Sequence, residues 1–478
     1  MATPLPPNEA CFSVAELVSE TSGRLLAGEP DAVVAGVETD SRASLADKVF
    51  VALEGERFDG HDFVSTAAEL GARAMIVSRD VSVPTGIAVV RVDSTLDALG
   101  ELGRAHRARH PATVVAIAGS AGKTTTKSCV AALLGALLPG QVLSAAGNLN
   151  NRVGVPRVLL GLSPQHRVAV VELGTNATGE VAALARIARP DVAVLTLIDI
   201  EHSEGLGDLD AIEREEGALL QALSADGVAI GNSDDERVLR QLRRAPTPRQ
   251  LAYGSSPEAD YRVVEREARG LDGARLTISS PRGAALRFEV GLMGLPGALA
   301  AAAAVAVAEQ LVAEPLGAAA LARAFAGAVG EDGRLRPIAL SDGSVVIDDT
   351  YNANPASVLA AVGTAAELAR ARGAGLVLVL GEMRELGAAS VAEHERVGRE
   401  LSGFGARRLI AVAGDAERMV APARQAGLAA DFVADAEAAL PIVRASLEPG
   451  DVVLVKASRG VRAERVVRGL LSAIGRAG

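Results

Sequence analysis

At 478 residues the chain exceeds one ordinary hydrophobic core, and three domains are expected. A formal net charge of -11 excludes a surface that tracks a nucleic-acid backbone, but leaves room for a local basic pocket that takes a small anion. The composition is 49% hydrophobic but 2% aromatic, with no Trp, which suits Val-, Leu- and Ala-packed parallel sheets under helices.

The opening MATPLPPNEACF has no basic segment followed by an apolar core, so no secretory signal is read there. Cys11 and Cys129 are far apart and have no second Cys or His at metal spacing, which fits a cytoplasmic chain without a disulfide framework. Short apolar runs, VFVAL from Val49 and AMIV from Ala74, alternate with the helical pattern STAAELGARA. They predict a small α/β domain over 1–108, which ends in the basic segment from Arg104 to Pro111.

From Thr113 the runs TVVAIA, VAVVEL, VAVLTL and GVAIGN alternate with Ala/Leu-rich helical stretches. This is the pattern of a largely parallel sheet with crossover helices, placed at 109–332. A more polar patch from Asp260 to Val290 predicts an antiparallel extension, and the Ala-rich tract Ala298 to Ala308 a buried helix too short to cross a membrane. After Gly333 and Arg334 the alternation restarts with SVVIDD, GLVLVLG, RLIAVAG and DVVLVKAS, a Rossmann-like domain over 333–478. The fold class is α/β throughout.

The chemistry begins at GSAGKTTTK, Gly119 to Lys127, between a buried strand and a helix. Gly119, Ser120, Ala121 and Gly122 form a glycine-hinged turn whose N–H groups can cradle phosphates. Lys123 can reach the terminal phosphates, and Thr124, followed by Thr125, can ligate Mg²⁺. The longer GxxxxGK form is not met, because Ile117 stands where its first glycine would be. The plainer alternative is a tight turn with a solvated lysine. An ATP-using enzyme is the starting hypothesis.

Glu172 ends VAVVEL, at the edge of an α/β sheet that holds ligands. It either ligates Mg²⁺ or positions a nucleophile, or it is a helix N-terminal acid favoured by the dipole. His202, in IDIEHSEGLGD, arrives at the same edge as a metal ligand or as a satisfied loop histidine. The next helix, DLDAIEREEGALLQAL, is capped by Asp208 and has an apolar face of Leu209, Ile212, Leu219, Leu220 and Leu223. Helical phase places Glu216 within that face and Glu215 on the solvent side, so Glu216 is either a site carboxylate or a rim acid.

GNLNNRVGVP supplies Asn148, Asn150 and Asn151, suited to a sugar or peptide or simply to a turn-rich loop. DDTYNANP and KASRG end two strands of the third domain with carboxylates, amides and cations. Together they could present charge to a nucleotide and a carboxylate across a domain cleft.

These segments, in this order, resemble the Mur ligase family, and within it the D-alanyl-D-alanine-adding branch. GSAGKTTTK looks like its short phosphate loop, GNLNNRVGVP its muramoyl-peptide loop and ELGTNATGEV its metal-carboxylate segment. DDTYNANPAS, VLGEMRELG and VKASRG look like its third-domain motifs, and TDSRASLADKVFVAL with GERFDGHDF its uridine-binding domain. The resemblance implies ATP and Mg²⁺ as cofactors, and a UDP-N-acetylmuramoyl-tripeptide and D-Ala-D-Ala as partners, joined through an acyl phosphate by a monomer. By position it implies Lys123 and Thr124 for phosphates and Mg²⁺, Glu172 and His202 for metals, and Arg334 for the γ-phosphate. Asp349 would take the ribose, with Asn352 and Asn354 bordering the nucleotide. Lys456, Ser458 and Arg459 would lie at the peptide end, Thr175 and Asn176 near the substrate, and Asp40, Ser41 and Arg42 at UDP.

Two departures stand out. Glu216 occupies the place of a lysine that the family carbamylates into a metal-bridging carboxylate, and is expected to supply that charge directly, through a water on the second Mg²⁺. Pro296, Gly297 and Ala300 stand where an HN-x-x-N pattern borders adenine. A folylpolyglutamate synthase-like ligase is a competing reading, opposed by DDTYNANP and the uridine-type N-terminal domain. A nucleotide-binding relative that no longer catalyses is another.

Overall fold

The computed structural model describes residues 6–8, 10–55, 58–82, 84–326 and 331–477. Strands between Arg24 and Arg91 form a five-stranded sheet, those between Thr113 and Val290 a nine-stranded one, and those between Arg336 and Lys456 a six-stranded one. A small antiparallel pair, Cys11–Ser13 with Val33–Ala35, flanks the first.

In the central sheet Thr113–Ala118 lies between Val168–Glu172 and Val192–Leu195, all parallel. Each run is apolar at almost every position because helices cover both faces. The register pairs Glu172 with Ile117 and Leu195 with Ala118, so all three chains leave the sheet at one edge. Crossover connections force this convergence, which sequence alternation alone implied. The expected antiparallel extension is present as Tyr261–Ala268, Ala274–Ser280 and Gly283–Val290.

The Ala-rich helix runs Gly294–Leu311, three or four residues beyond the tract at each end. It is long and apolar enough to span a bilayer, yet 72% of it is buried inside the protein. Small side chains let it pack closely on the phosphate-loop helix Lys123–Leu137, within one core with Leu133 and Leu134.

The third domain repeats the parallel logic, with an antiparallel edge strand Arg336–Ala339 beside Val345–Asp349. Val345–Asp349 pairs with Val452–Lys456 in a register that sets Asp349 beside Lys456.

Helix Leu209–Gln221 begins as expected, with the Asp208 side chain accepting from the Ala211 N–H at 2.8 Å. Glu215, however, is not on a solvent side. It is buried, and its carboxylate accepts from the N–H groups of Gly179 and Val181, both at 2.7 Å, capping the next-door helix Glu180–Ala188. Phase within one helix does not reveal a neighbouring helix terminus that draws an acid inward.

Glu213, on the same helix, is buried under Arg237, Arg240 and Gln241. The hydrogen bond from Arg240, with help from Gln241 and Arg237, outweighs burial and holds its carboxyl at about 2. Its folded value lies below the unfolded one, so its stabilisation is complete above about pH 4.5 and disappears as pH falls toward 2. Glu213→Gln should cost about 2 kcal/mol at pH 7, discounted for the part-exposed Arg240, and the melting-temperature gap to wild type should close on acidification. A gap that is constant from pH 7 to pH 3 would show that the charge contributes nothing.

Candidate active site

A cavity of about 1210 Å³ opens where the carboxyl edge of the central sheet faces the third domain. Its phosphate end is built on the turn after Thr113–Ala118. Gly119 has φ 126°, and a Cβ there would lie 2.3 Å from Thr196 Oγ1 and 2.9 Å from Leu197 backbone atoms. Only glycine fits that approach. Gly122, also left-handed at φ 84°, starts helix Lys123–Leu137, whose first N–H groups face the cavity.

Lys123 bonds the Gly119 carbonyl and lies 3.4 Å from Glu201 Oε1. Burial opposes its charge, but Glu201, Glu216 and Glu172 together hold its pKa above that of an ordinary lysine. Thr124 is buried at the cavity wall beside Ser120, Ala121 and Thr125. Lys127 bonds the Gly147 carbonyl and lies 3.9 Å from Glu172 Oε2. Burial lowers its pKa.

Glu172 is 3% exposed. Its Oε1 accepts from Asn150 Nδ2 at 2.8 Å, and Oε2, equally buried, has no hydrogen-bond partner. A buried carboxylate oxygen left unmet beside a threonine hydroxyl and a phosphate loop fits a hard divalent cation such as Mg²⁺. Asn148, Asn150 and Asn151 all reach the cavity, though Asn151 spends its Oδ1 on the N–H groups of Val153 and Gly154. Thr175 donates to the Ala177 carbonyl at 2.8 Å and the Asn176 N–H to Glu180, both residues lining the wall.

His202 reaches the cavity in a left-handed conformation, φ 47°. Its Nδ1 is held by Glu385 of the third domain, and Nε2 faces Glu201 Oε2 at 3.9 Å. Burial disfavours its cationic form, yet Glu385 and Glu201 raise its pKa overall. Ser203 Oγ and the Glu204 N–H bond the carbonyls of Leu386 and Glu385, so this loop is clasped to the third domain.

Glu216 requires a correction. Its helical phase is inward as expected, but inward means behind the phosphate loop. It is fully buried, accepts from the Gly119 N–H at 2.7 Å, and does not line the cavity. Burial, opposed by Lys123 and reinforced by Glu201, pushes its carboxyl up to about 8. Oε1 meets no donor, and carrying a proton relieves an unmet acceptor. Glu201, one residue before His202 and marked by no motif, does face the cavity and is buried there.

From the third domain, Asn354 caps helix Pro355–Arg372, and its Nδ2 donates to the Ser120 carbonyl at 3.1 Å. Asn352 lies beside it, its backbone carbonyl accepting from Lys456 Nζ at 2.8 Å. Lys456, 3% exposed, also donates to Asp349 Oδ2 at 2.7 Å, while Asp349 Oδ1 accepts from the Leu335 N–H. Arg334 stacks on Tyr351 at 4.0 Å, with Arg459 over the same ring at 5.4 Å. Ser458 Oγ accepts from the Arg384 N–H. All of these reach the one cavity.

Asp40, Ser41 and Arg42 do not line this cavity. Arg42 grips Asp40 with two 2.8 Å bonds and holds its carboxyl at about 2. Neighbouring Glu38 is paired with Arg157 of the central domain, so the segment sits at a junction apart from the phosphate end. Pro296, Gly297 and Ala300 line the wall and offer no side-chain hydrogen bonds; polar side chains come instead from Asn232, Thr364 and Glu367.

Family models match the chain in three segments: the Mur ligase family catalytic domain at 33–107, the Mur ligase middle domain at 117–308, and the Mur ligase glutamate ligase domain at 333–459. The chain therefore belongs to the Mur ligase family. It is 36% identical to the UDP-N-acetylmuramoyl-tripeptide–D-alanyl-D-alanine ligase of Escherichia coli strain K12, over 92% of this chain and 94% of that one. The crystal structure of MurF from Acinetobacter baumannii superposes with a TM-score of 0.86 at 30% identity, covering 98% of this chain and all of that one. MurF from Thermotoga maritima in complex with ADP gives 0.78 at 27%, covering 91% and 97%.

Proposed function

We infer that the chain joins D-Ala-D-Ala to a UDP-N-acetylmuramoyl-tripeptide at the expense of ATP, with Mg²⁺, in peptidoglycan synthesis. The observation that carries this is one cavity whose walls are the phosphate loop, the unmet Glu172 oxygen and the third-domain cations. Similarity to UDP-N-acetylmuramoyl-tripeptide–D-alanyl-D-alanine ligases over nine-tenths of the chain supports these substrates.

ATP supplies the phosphoryl group that activates the tripeptide carboxylate as an acyl phosphate. Lys123 and the N–H groups around Gly122 hold the phosphates, and Thr124 with Glu172 and His202 holds Mg²⁺. Arg334, fixed against Tyr351, faces the γ-phosphate. Lys456 orients Asp349 toward the ribose, with Asn352 and Asn354 along the nucleotide. Ser458 and Arg459 take the peptide end, Asn148, Asn150, Asn151, Thr175 and Asn176 the muramoyl peptide, and Asp40, Ser41 and Arg42 the UDP. Enclosing both substrates between domains orients amine against carbonyl and keeps water from the acyl phosphate.

Domains at 1–108, 109–332 and 333–478 divide this work. The chain is read as a monomer, and ATP with a UDP-linked precursor supports the cytoplasm. Mass spectrometry of products from UDP-muramoyl-tripeptides, D-Ala-D-Ala and ATP should show the pentapeptide, with one ADP and one phosphate per amide. The preferred tripeptide reveals whether residue three is diaminopimelate or lysine. ADP released without a new amide would overturn the ligase reading.

A further inference from the structure

Glu201 is an acid at the phosphate end of the cavity to which no role has been given. It is 4% exposed and lines the wall. Its Oε1 is 3.4 Å from Lys123 Nζ, and its Oε2 lies 3.5 Å from Asn354 Nδ2 and 3.9 Å from His202 Nε2. Neither Lys123 nor His202 is free to serve it once nucleotide and metal are bound. Lys123 is the phosphate lysine, and His202, read as a Mg²⁺ ligand, is gripped at Nδ1 by Glu385. No arginine is paired with Glu201 among the described residues. A nearly buried carboxylate facing phosphate oxygens is then doubly disfavoured, by desolvation and by like charge, unless a cation stands between them.

A second acid of this cavity also lacks a partner. Glu172, in the same wall and 3% exposed, keeps one oxygen with no partner, and Lys127 is its nearest cation at 3.9 Å. Carboxylate and phosphate oxygens together are the donors that Mg²⁺ collects, directly or through its water shell. Glu216 lies against Glu201 and Lys123 from behind the loop, but it is tied to the Gly119 N–H and does not line the cavity where the cation would stand.

We propose that Glu201 couples metal and nucleotide binding: it repels phosphates from the bare site and supplies an oxygen for the Mg²⁺ that they share. The proposal rests on reading the cavity as an ATP site. It predicts a signature that a merely structural acid would not produce. Neutralising Glu201 should strengthen metal-free nucleotide binding while weakening the gain that Mg²⁺ brings.

The test is calorimetric titration of ADP into the full-length protein, with Mg²⁺ and with chelator, for wild type, Glu201→Gln and Glu216→Gln. Spectroscopic titration of Mn²⁺ into the ADP-loaded proteins accompanies it. In Glu201→Gln the ratio of the two ADP affinities should fall about tenfold, a usual size for coupling between sites, and Mn²⁺ should bind correspondingly more weakly. Glu216→Gln should keep the wild-type ratio. Should Glu201→Gln fail to fold, Glu201→Asp retains the charge with a shorter reach and should still reduce the ratio severalfold. A ratio within twofold of wild type in the folded Glu201 variant, or an equal loss in Glu216→Gln, overturns the proposal. Failure of the wild type to bind ADP with Mg²⁺ overturns the nucleotide reading itself.

Discussion

Lys123→Ala should lower amide formation and ADP release by about 10³-fold, the scale on which a single preorganised electrostatic group acts in phosphoryl transfer. The ammonium sits between the loop carbonyl of Gly119 and Glu201, where the neighbouring acids, Glu201 first, hold it charged. Nothing else in the loop can place a positive charge there. Lys127, four residues on, is already committed to the Gly147 carbonyl and faces Glu172. The fold should survive, because Glu216 is already biased toward its protonated form and Glu201 retains Asn354 and His202. Coupled ADP release, checked against circular dichroism, measures this. A loss under tenfold would mean that another cation serves the phosphates.

Asp349→Ala should destabilise the third domain by about 3–5 kcal/mol, the usual cost of stranding a buried charge. Lys456 is 3% exposed, and parallel register puts it beside Asp349 at 2.7 Å; without the carboxylate it keeps only the Asn352 carbonyl. The Leu335 N–H also loses its acceptor, which loosens the segment carrying Arg334, so turnover should fall as well. Asp349→Leu with Lys456→Met should recover most of the stability but no activity, since removing both charges leaves nothing unpaired. Thermal unfolding of the single and double variants decides this. A cost below about 1 kcal/mol for Asp349→Ala would place the pair with ordinary solvated ion pairs.

What the sequence determined by itself was local and periodic. The run TVVAIA before GSAGKTTTK, the alternation of apolar runs with helices, and the Asp208 cap all follow from residue spacing within a few turns of chain, and the structure has them where spacing puts them. The same holds for Glu172, at the carboxyl end of one parallel strand, and for His202, in the loop after the next, since that edge of a parallel sheet is where ligands bind. Only tertiary structure decided which carboxylate faces that edge. Helical phase showed that Glu216 points inward, but not that its inward side is the back of the phosphate loop. It could not show that Glu215 caps a second helix, nor that Asp40 to Arg42 sit at a junction apart from the phosphate end. Glu201 was hidden beside the more conspicuous His202. Its partner Asn354, and Glu385 on His202, come from a domain more than 150 residues away, brought near by a domain interface that no local pattern encodes. The reason is physical: periodicity reports which side of an element avoids water, whereas burial and charge at a site depend on what the other domains place against it.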